Sequence, residues 1–371
     1  MKVSRKQVLA FRVAVQGMHR EAARVQDLAI LDIGVQDSGA DAARLAFDAR
    51  LQTAPPADGI GPGAPLALVW SLRGAPHVHR RADLDDLAGA LYPLSEQDAA
   101  GRLNETGPSI ARAGIPALEQ YAIAVREMKA VVGKPMGKGA ASTAVTKKIP
   151  RPMWRDCRAC KAMHISDSAM RPAALAGGLE FQPGTSPPVL QPRPRPRVPK
   201  RTDVPALQKL IRAYLSLLGP ATQADAAGYL DARRADVAEV WPDELVEVSV
   251  DGRTGWLPEE CVDALRSSPP PEVVRLLGGF DPWLQARDRE LIVPDKAVHK
   301  ALWPVLGRPG VVLAEGEVIG TWRPKSGGRK LTMTVEVFGP QSPSTWREIE
   351  TEAERVAAVR GAASVAVKRV E

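Results

Sequence analysis

The sequence predicts an α+β protein of tandem winged helix-turn-helix modules followed by a C-terminal β-rich subdomain, on three observations. Residues 206–256 spell three helical segments and then a hairpin. Residues 1–94 repeat that order in a different sequence. After Pro269-Pro-Pro271 the apolar pattern changes from helical spacing to short alternating runs bounded by glycines.

In chain order, Ser4 is placed to cap a helix Arg5–Met18 with Val8, Leu9, Phe11 and Val15 as its buried stripe. A second helix is expected at Val25–Ile33. A polar turn, Gly34-Val-Gln-Asp-Ser-Gly39, then opens a third helix, Ala40–Leu51. Leu66–Leu72 reads as a strand that Arg73-Gly-Ala-Pro76 turns back into His77–Arg81, closing the first module at residue 94. Residues 95–182 carry helical patterns at Ser95–Leu103, Ile115–Val132 and Ala140–Lys148. A hairpin at Met153–Ser166, a helix at Ser168–Ala176 and a strand at Leu179–Phe181 complete a less regular second module. Residues 183–201 hold Pro183, Pro187, Pro188, Pro192, Pro194, Pro196 and Pro199, which predicts an extended linker.

The third module, 202–268, is the clearest. Leu207, Leu210, Ile211, Tyr214, Leu215 and Leu218 recur at three- and four-residue steps and stop at Gly219-Pro220. Thr222 caps Gln223–Leu230, and Arg233–Trp241 forms the third helix. Leu245–Val250 alternates, Asp251-Gly252 is a two-residue hairpin turn, and Arg253–Leu257 returns. Residues 269–371 predict strands at Val273–Leu277, Glu290–Val293, Gly310–Ala314, Glu317–Trp322 and Leu331–Val337, in a small antiparallel or barrel-like unit. A helix Ser344–Arg360 and a strand Ala363–Val370 close the chain.

With 50 Lys and Arg against 43 Asp and Glu, the net charge is +7, which permits a polyanionic partner without requiring one. The distribution says more. Arg126, Lys129, Lys134, Lys138, Lys147, Lys148, Arg151, Arg155, Arg158 and Lys161 are opposed between residues 126 and 161 by Glu127 and Asp156 alone. Residues 193–201 add Arg193, Arg195, Arg197, Lys200 and Arg201 with no acid. No apolar run approaches the ~18 residues of a membrane span, so a cytoplasmic protein with double-stranded DNA as partner is expected. A winged helix also serves as a protein-interaction module, and that alternative stays open.

Three groups of residues carry potential chemistry. Cys157-Arg-Ala-Cys160-Lys-Ala-Met-His164 has the spacing of a zinc knuckle, two thiols and an imidazole without an evident fourth ligand, so the expectation is no cofactor or one structural zinc. His77 and His79, two apart on a strand, face one side next to Arg73, Arg80 and Arg81. The hairpin is either a basic surface for phosphates or a solvated wing with one histidine packed on the sheet. In Gln36-Asp37-Ser38, Asp37 or Ser38 suits an N-cap. Equally, a carboxamide beside a carboxylate suits holding a water and stabilising an oxocarbenium-like centre, as cleavage of an N-glycosidic bond requires.

Four blocks, Gly34-Val-Gln-Asp-Ser38, Trp70-Ser-Leu-Arg-Gly-Ala-Pro-His77, Val274-Arg-Leu-Leu-Gly-Gly-Phe-Asp-Pro282 with Arg287-Asp-Arg289, and Gly316-Glu-Val-Ile-Gly-Thr-Trp322, resemble the winged-helix AlkZ-type DNA glycosylases over nearly the whole chain. The resemblance implies a concave basic surface and metal-free excision of alkylated or crosslinked purines. Gln36 and Asp37 are the catalytic candidates at the family's site position, and Arg73, His77, His79, Arg80, Arg81, Lys147, Lys148, Arg287 and Arg289 are, by their residue types, the nucleic-acid candidates. Active members carry Gln-x-Gln or Gln-x-Asp where this chain has Gln36-Asp37-Ser38, so Gln36 matches and the carboxylate is displaced by one residue. A non-catalytic DNA-binding or regulatory protein is the alternative this departure raises.

Overall fold

The computed structural model describes residues 1–39, 41–56, 58–103 and 114–370. The fold is mixed α and β. Two compact units emerge, the first from Met1–Ala57, Ala213–Asp225 and Asp243–Glu371, the second from Asp58–Arg212 and Ala226–Pro242. Boundaries at residues 94, 182, 201 and 268 do not coincide with these units, because segments remote in sequence share one core. Lys2–Val3, for example, pairs in parallel with Ser249 and Val250.

In the first unit, helix Arg5–Val15 is capped by Ser4, whose hydroxyl accepts from the Gln7 amide. It buries Val8, Leu9, Phe11 and, against expectation, Arg12, while Val15 is only half-buried. The Arg12 guanidinium meets the Asp288 carboxylate at 2.5 and 3.1 Å, a partner that spacing within the helix does not reveal. The expected helix Val25–Ile33 is instead two 3-10 turns, Val25–Asp27 and Ala29–Asp32. Ile30, Leu31 and Ile33 are all buried, so the apolar residues that suggested a helix are placed in the core by tighter turns. A short helix, Ala42–Asp48, follows.

The hairpin Leu245–Val250 with Arg253–Pro258 forms in the predicted register. Asp251 and Gly252 both take positive φ, 48° and 89°, as a two-residue turn matched to strand twist demands. The C-terminal sheet has the order Val274–Leu277, Gly310–Ala314, Glu317–Gly327, Lys330–Val337, Ser364–Val370. It is an open sheet and not wholly antiparallel, since its last pair runs parallel from Lys330↔Ser364 to Glu336↔Val370. A parallel neighbour requires a crossover, supplied by helix Pro343–Val359. That helix packs Ile349, Ala353 and Val356 with Val274, Leu276, Met333 and Val335 in one apolar cluster. Glu290–Val293, expected as a strand, is a single helical turn Arg289–Ile292. Leu291 and Ile292 are both buried there, which alternation cannot provide.

In the second unit, helices Glu96–Arg102, Ala117–Val131, Lys138–Thr146 and Asp167–Ala176 surround a core that includes Tyr121, Met128, Val145 and Met170. The hairpin Leu66–Trp70 with Pro76–Arg80 sets Trp70 edge-on to Phe181, ring centroids 4.6 Å apart. Part of the proline-rich stretch is not a linker. Val189–Pro192 is a strand between Met136–Gly137 and Leu179–Gln182, where Leu190 and Gln191 are buried and tied into the sheet. Helices Val204–Leu218 and Gln223–Leu230, each divided between the two units, and Arg234–Glu239 follow in the predicted order, and all six predicted apolar residues of the first are buried.

Candidate active site and nucleic-acid surface

The Gln36 turn is bracketed by Gly34 and Gly39, whose φ angles of 74° and 94° lie in the left-handed region that glycine enters without strain. Between them, Val35 is fully buried and anchors the two-residue strand Val35–Gln36. The Gln36 Nε2 donates to Ser38 Oγ at 2.9 Å, which orients the carboxamide and leaves its oxygen as an acceptor. Asp41 precedes helix Ala42–Asp48 in a left-handed conformation and makes no side-chain cap. Asp37 supplies the cap from further upstream, its Oδ1 accepting from the Ala43 amide at 3.1 Å. Burial raises the Asp37 pKa above the usual carboxylate range, the Ala43 amide pulls it back and the Asp41 charge raises it further. The carboxylate is thus a desolvated helix cap with its second oxygen outside that hydrogen bond.

Buried ion pairs tie the helical segment after this turn to residues remote in sequence. Arg50, at the end of the same helical segment, meets Asp281 through two bonds of 2.8 Å, with both side chains fully buried. Arg50 also donates to the Ala46 carbonyl and to Gln16 Oε1. Asp281 caps the following turn through the Trp283 amide. Further out, Asp48 pairs with Arg355 and Glu352 with Arg20.

The His77–Arg81 hairpin does not present the basic surface expected of it. His77 and His79 do share a side, ring centroids 6.0 Å apart, but both are buried. His79 Nε2 lies 3.0 Å from Ser71 Oγ and His77 Nδ1 donates to the Ala75 carbonyl. Burial lowers both pKa values, that of His79 to about 3 and that of His77 well below the usual range, with His79 and Arg73 adding to the latter. Two neutral, enclosed imidazoles do not grip phosphates. Arg81 is likewise structural, donating to Glu180 at 2.7 Å and to the carbonyls of Ala64 and Gly61. Arg73 donates to the Tyr229 carbonyl and lies over that ring, and Arg80 sits 3.7 Å from Asp83. Alternation along a strand shows which residues share a face; what covers that face is not local information.

By contrast, Lys147 and Lys148 are exposed after helix Lys138–Thr146, and Arg287 and Arg289 are exposed on either side of buried Asp288. The second unit also contains a cavity of about 280 Å³ bordered by Trp70, Arg73, Arg102, Tyr121, Asp167 and Arg171. Arg171 bonds Asp167 at 2.6 Å and stacks over Trp70, and Arg102 bonds Asp98 at 2.8 Å. Sequence reasoning did not single out Arg102 or Arg171, which reach this cavity from separate helices and share no local motif. Cys157, Cys160 and His164 are brought together at the hairpin Arg155–Cys157 with Ala162–His164, and Cys261 lies in the other unit.

The profile of a family described as DNA glycosylase AlkZ-like matches residues 25–359, a span that includes the Gln36 turn, Trp70–His77, Val274–Pro282 and Gly316–Trp322. The chain belongs to the AlkZ-like DNA glycosylase family. An interstrand DNA cross-link repair glycosylase of Streptomyces sahachiroi is 29% identical over 180 residues, which cover 44% of this chain and 46% of that protein. The solved structure of the Streptomyces sahachiroi DNA glycosylase AlkZ superposes with a TM-score of 0.76 at 21% identity, covering 100% of both chains. At that identity the likeness is one of fold. The glycine of Gly310 also fits it closely, since a Cβ there would fall 2.2 Å from the Trp322 ring, whose Nε1 bonds the Leu277 carbonyl. No helix among the described residues is long and apolar enough to cross a membrane.

Proposed function

We propose that this AlkZ-like protein is a monofunctional DNA glycosylase that hydrolyses the N-glycosidic bond of alkylated or crosslinked purines in duplex DNA. The observation that carries the reading is the family match across the Gln36 turn together with the desolvated Asp37 carboxylate inside that turn. As the C1′–N bond breaks, its electron pair leaves with the cationic purine, which becomes neutral, and positive charge develops on the sugar. A water oxygen then bonds to C1′ and its proton passes to Asp37, giving the free base and an abasic site. Raising the carboxylate pKa by burial improves it as a proton acceptor near neutral pH. The Gln36 carboxamide, fixed by Ser38, offers its oxygen to the same water. An alkylated purine already carries charge and leaves readily, so a positioned water and one anionic group are sufficient demands on the site. Exposing the lesion costs a few kcal/mol, which a damaged base lowers.

Exposed Lys147, Lys148, Arg287 and Arg289 are suited to phosphate contacts, which position a duplex without reading its sequence. A second reading, a non-catalytic DNA-binding protein, is favoured by one specific observation: Asp37 Oδ1 is committed to the Ala43 amide as a helix cap. Excision assays on alkylated and crosslinked duplexes with wild type, Gln36→Ala and Asp37→Asn separate the two readings. Loss of excision with intact duplex binding supports the glycosylase, and absence of excision by wild type on every such substrate supports the binder.

A further inference from the structure

The hairpin Arg155–Cys157 with Ala162–His164 is exposed, and its strands are three residues each, too short to hold a two-stranded ribbon unaided. Its register pairs Cys157 with Ala162 and Arg155 with His164, so Cys157 and His164 are diagonal neighbours on one face. Between the strands, Lys161 adopts φ 50°. That left-handed residue reverses the chain directly after Cys160 and returns the Cys160 sulfur toward that of Cys157. As a result one ligand atom from each of Cys157, Cys160 and His164 lies within 4.8 Å of the others. The edges of a tetrahedron built on zinc–sulfur and zinc–nitrogen bonds are about 3.5–4 Å, so small side-chain adjustments bring all three to one ion.

The atoms around this cluster point the same way. The His164 Nδ1 lies 2.6 Å from the Ile165 carbonyl, and a carbonyl only accepts, so the proton sits on Nδ1 and the lone pair on Nε2. That Nε2 is shut off from solvent, and its neighbour is the Cys157 side chain within the cluster. A backbone carbonyl holding the far nitrogen of an imidazole is also the arrangement that orients a metal-ligating histidine. Asp167 is nearby, but its Oδ2 is held by Lys138 at 2.8 Å and Arg171 at 2.6 Å. Among the described residues no fourth His, Cys, Asp or Glu joins the cluster.

We propose that Cys157, Cys160 and His164 form a site for one thiophilic divalent cation, zinc foremost, with solvent in the fourth tetrahedral position. The ion clips the hairpin and fixes the directions of Arg155, Arg158 and Lys161. It takes no part in the glycosidic chemistry at Gln36 and Asp37, so the proposal stands or falls independently of the glycosylase reading.

The test uses the full chain, produced without chelators or an immobilised-metal column. Elemental analysis should find about one zinc per chain, falling to background in the Cys157→Ser/Cys160→Ser double variant. Cobalt(II) added to zinc-stripped wild type should give an intense thiolate charge-transfer band and visible bands of tetrahedral strength. His164→Ala should keep the charge-transfer band while weakening cobalt affinity roughly tenfold or more. Sub-stoichiometric zinc together with no thiolate band on cobalt addition overturns the proposal, as does a Cys157–Cys160 disulfide in protein isolated under reducing conditions. The cobalt titration of wild type keeps the test decisive if the double variant fails to fold.

Discussion

Replacing Arg50 by Met tests how much the buried Arg50–Asp281 pair contributes to the stability of the first unit. Arg50 and Asp281 are both fully buried, and the guanidinium makes four hydrogen bonds, to Asp281 twice, to the Ala46 carbonyl and to Gln16. Summing four charge-assisted bonds would overstate the loss, because they share one desolvated group and are not additive. The governing quantity is the uncompensated Asp281 charge, which costs about 3–5 kcal/mol when one member of a buried pair is removed. At an m-value of ~2 kcal/mol/M the urea midpoint of the first unit should fall by roughly 2 M. A second variant, Arg50→Met/Asp281→Asn, removes the stranded charge and keeps an acceptor for the Trp283 amide. It should recover more than half of that loss. A shift below about 1 kcal/mol for Arg50→Met, or a double variant less stable than the single one, would refute the buried-charge reasoning.

Two further outcomes follow from the hairpin and the exposed cations. His79 titrates at about 3 in the fold, held down by burial and then by Arg80, against 6.5 when exposed. The unfolded chain therefore takes up a proton that the folded chain refuses, so stability is full above about pH 6.5 and declines as pH falls toward 3. His79→Gln should make that acid decline shallower, as seen in denaturant midpoints at pH 7.5 and 5, and an unchanged slope would contradict the assignment. For DNA, Lys147→Ala/Lys148→Ala should reduce the slope of log affinity against log salt by about 2, whereas Arg81→Ala should leave that slope alone and lower stability by about 1–3 kcal/mol.

Much of this fold is written locally. Ser4 before an apolar stripe, Asp251-Gly252 between alternating runs, and the glycine-bounded strands from Gly310 to Val337 each specify an element by short-range rules, and each formed. What the sequence hid depends on partners far along the chain. Arg12 reads as a solvated position until Asp288 is placed beside it, and Val189–Pro192 reads as linker until strands on both sides satisfy its backbone. The histidine pair was legible as a pair but not as a buried one. The Gln36 turn itself was legible, since the glycines that shape it and the polar residues within it are contiguous. That Asp37 rather than Ser38 provides the cap, and that it is desolvated, needed the geometry.

Single-turnover excision of an alkylated purine from a duplex, measured with wild type, Gln36→Ala, Asp37→Asn and Asp37→Ala, bears most directly on the proposed chemistry. With Asp37 as base, Asp37→Asn should slow excision by roughly ten- to a thousandfold and Gln36→Ala within the same range, while duplex affinity and melting temperature stay near those of wild type. Asp37→Ala should add a loss of about 1 kcal/mol of stability, since the Ala43 amide then lacks its cap. Wild-type excision that Asp37→Asn leaves unchanged would show that the carboxylate is a helix cap and nothing more.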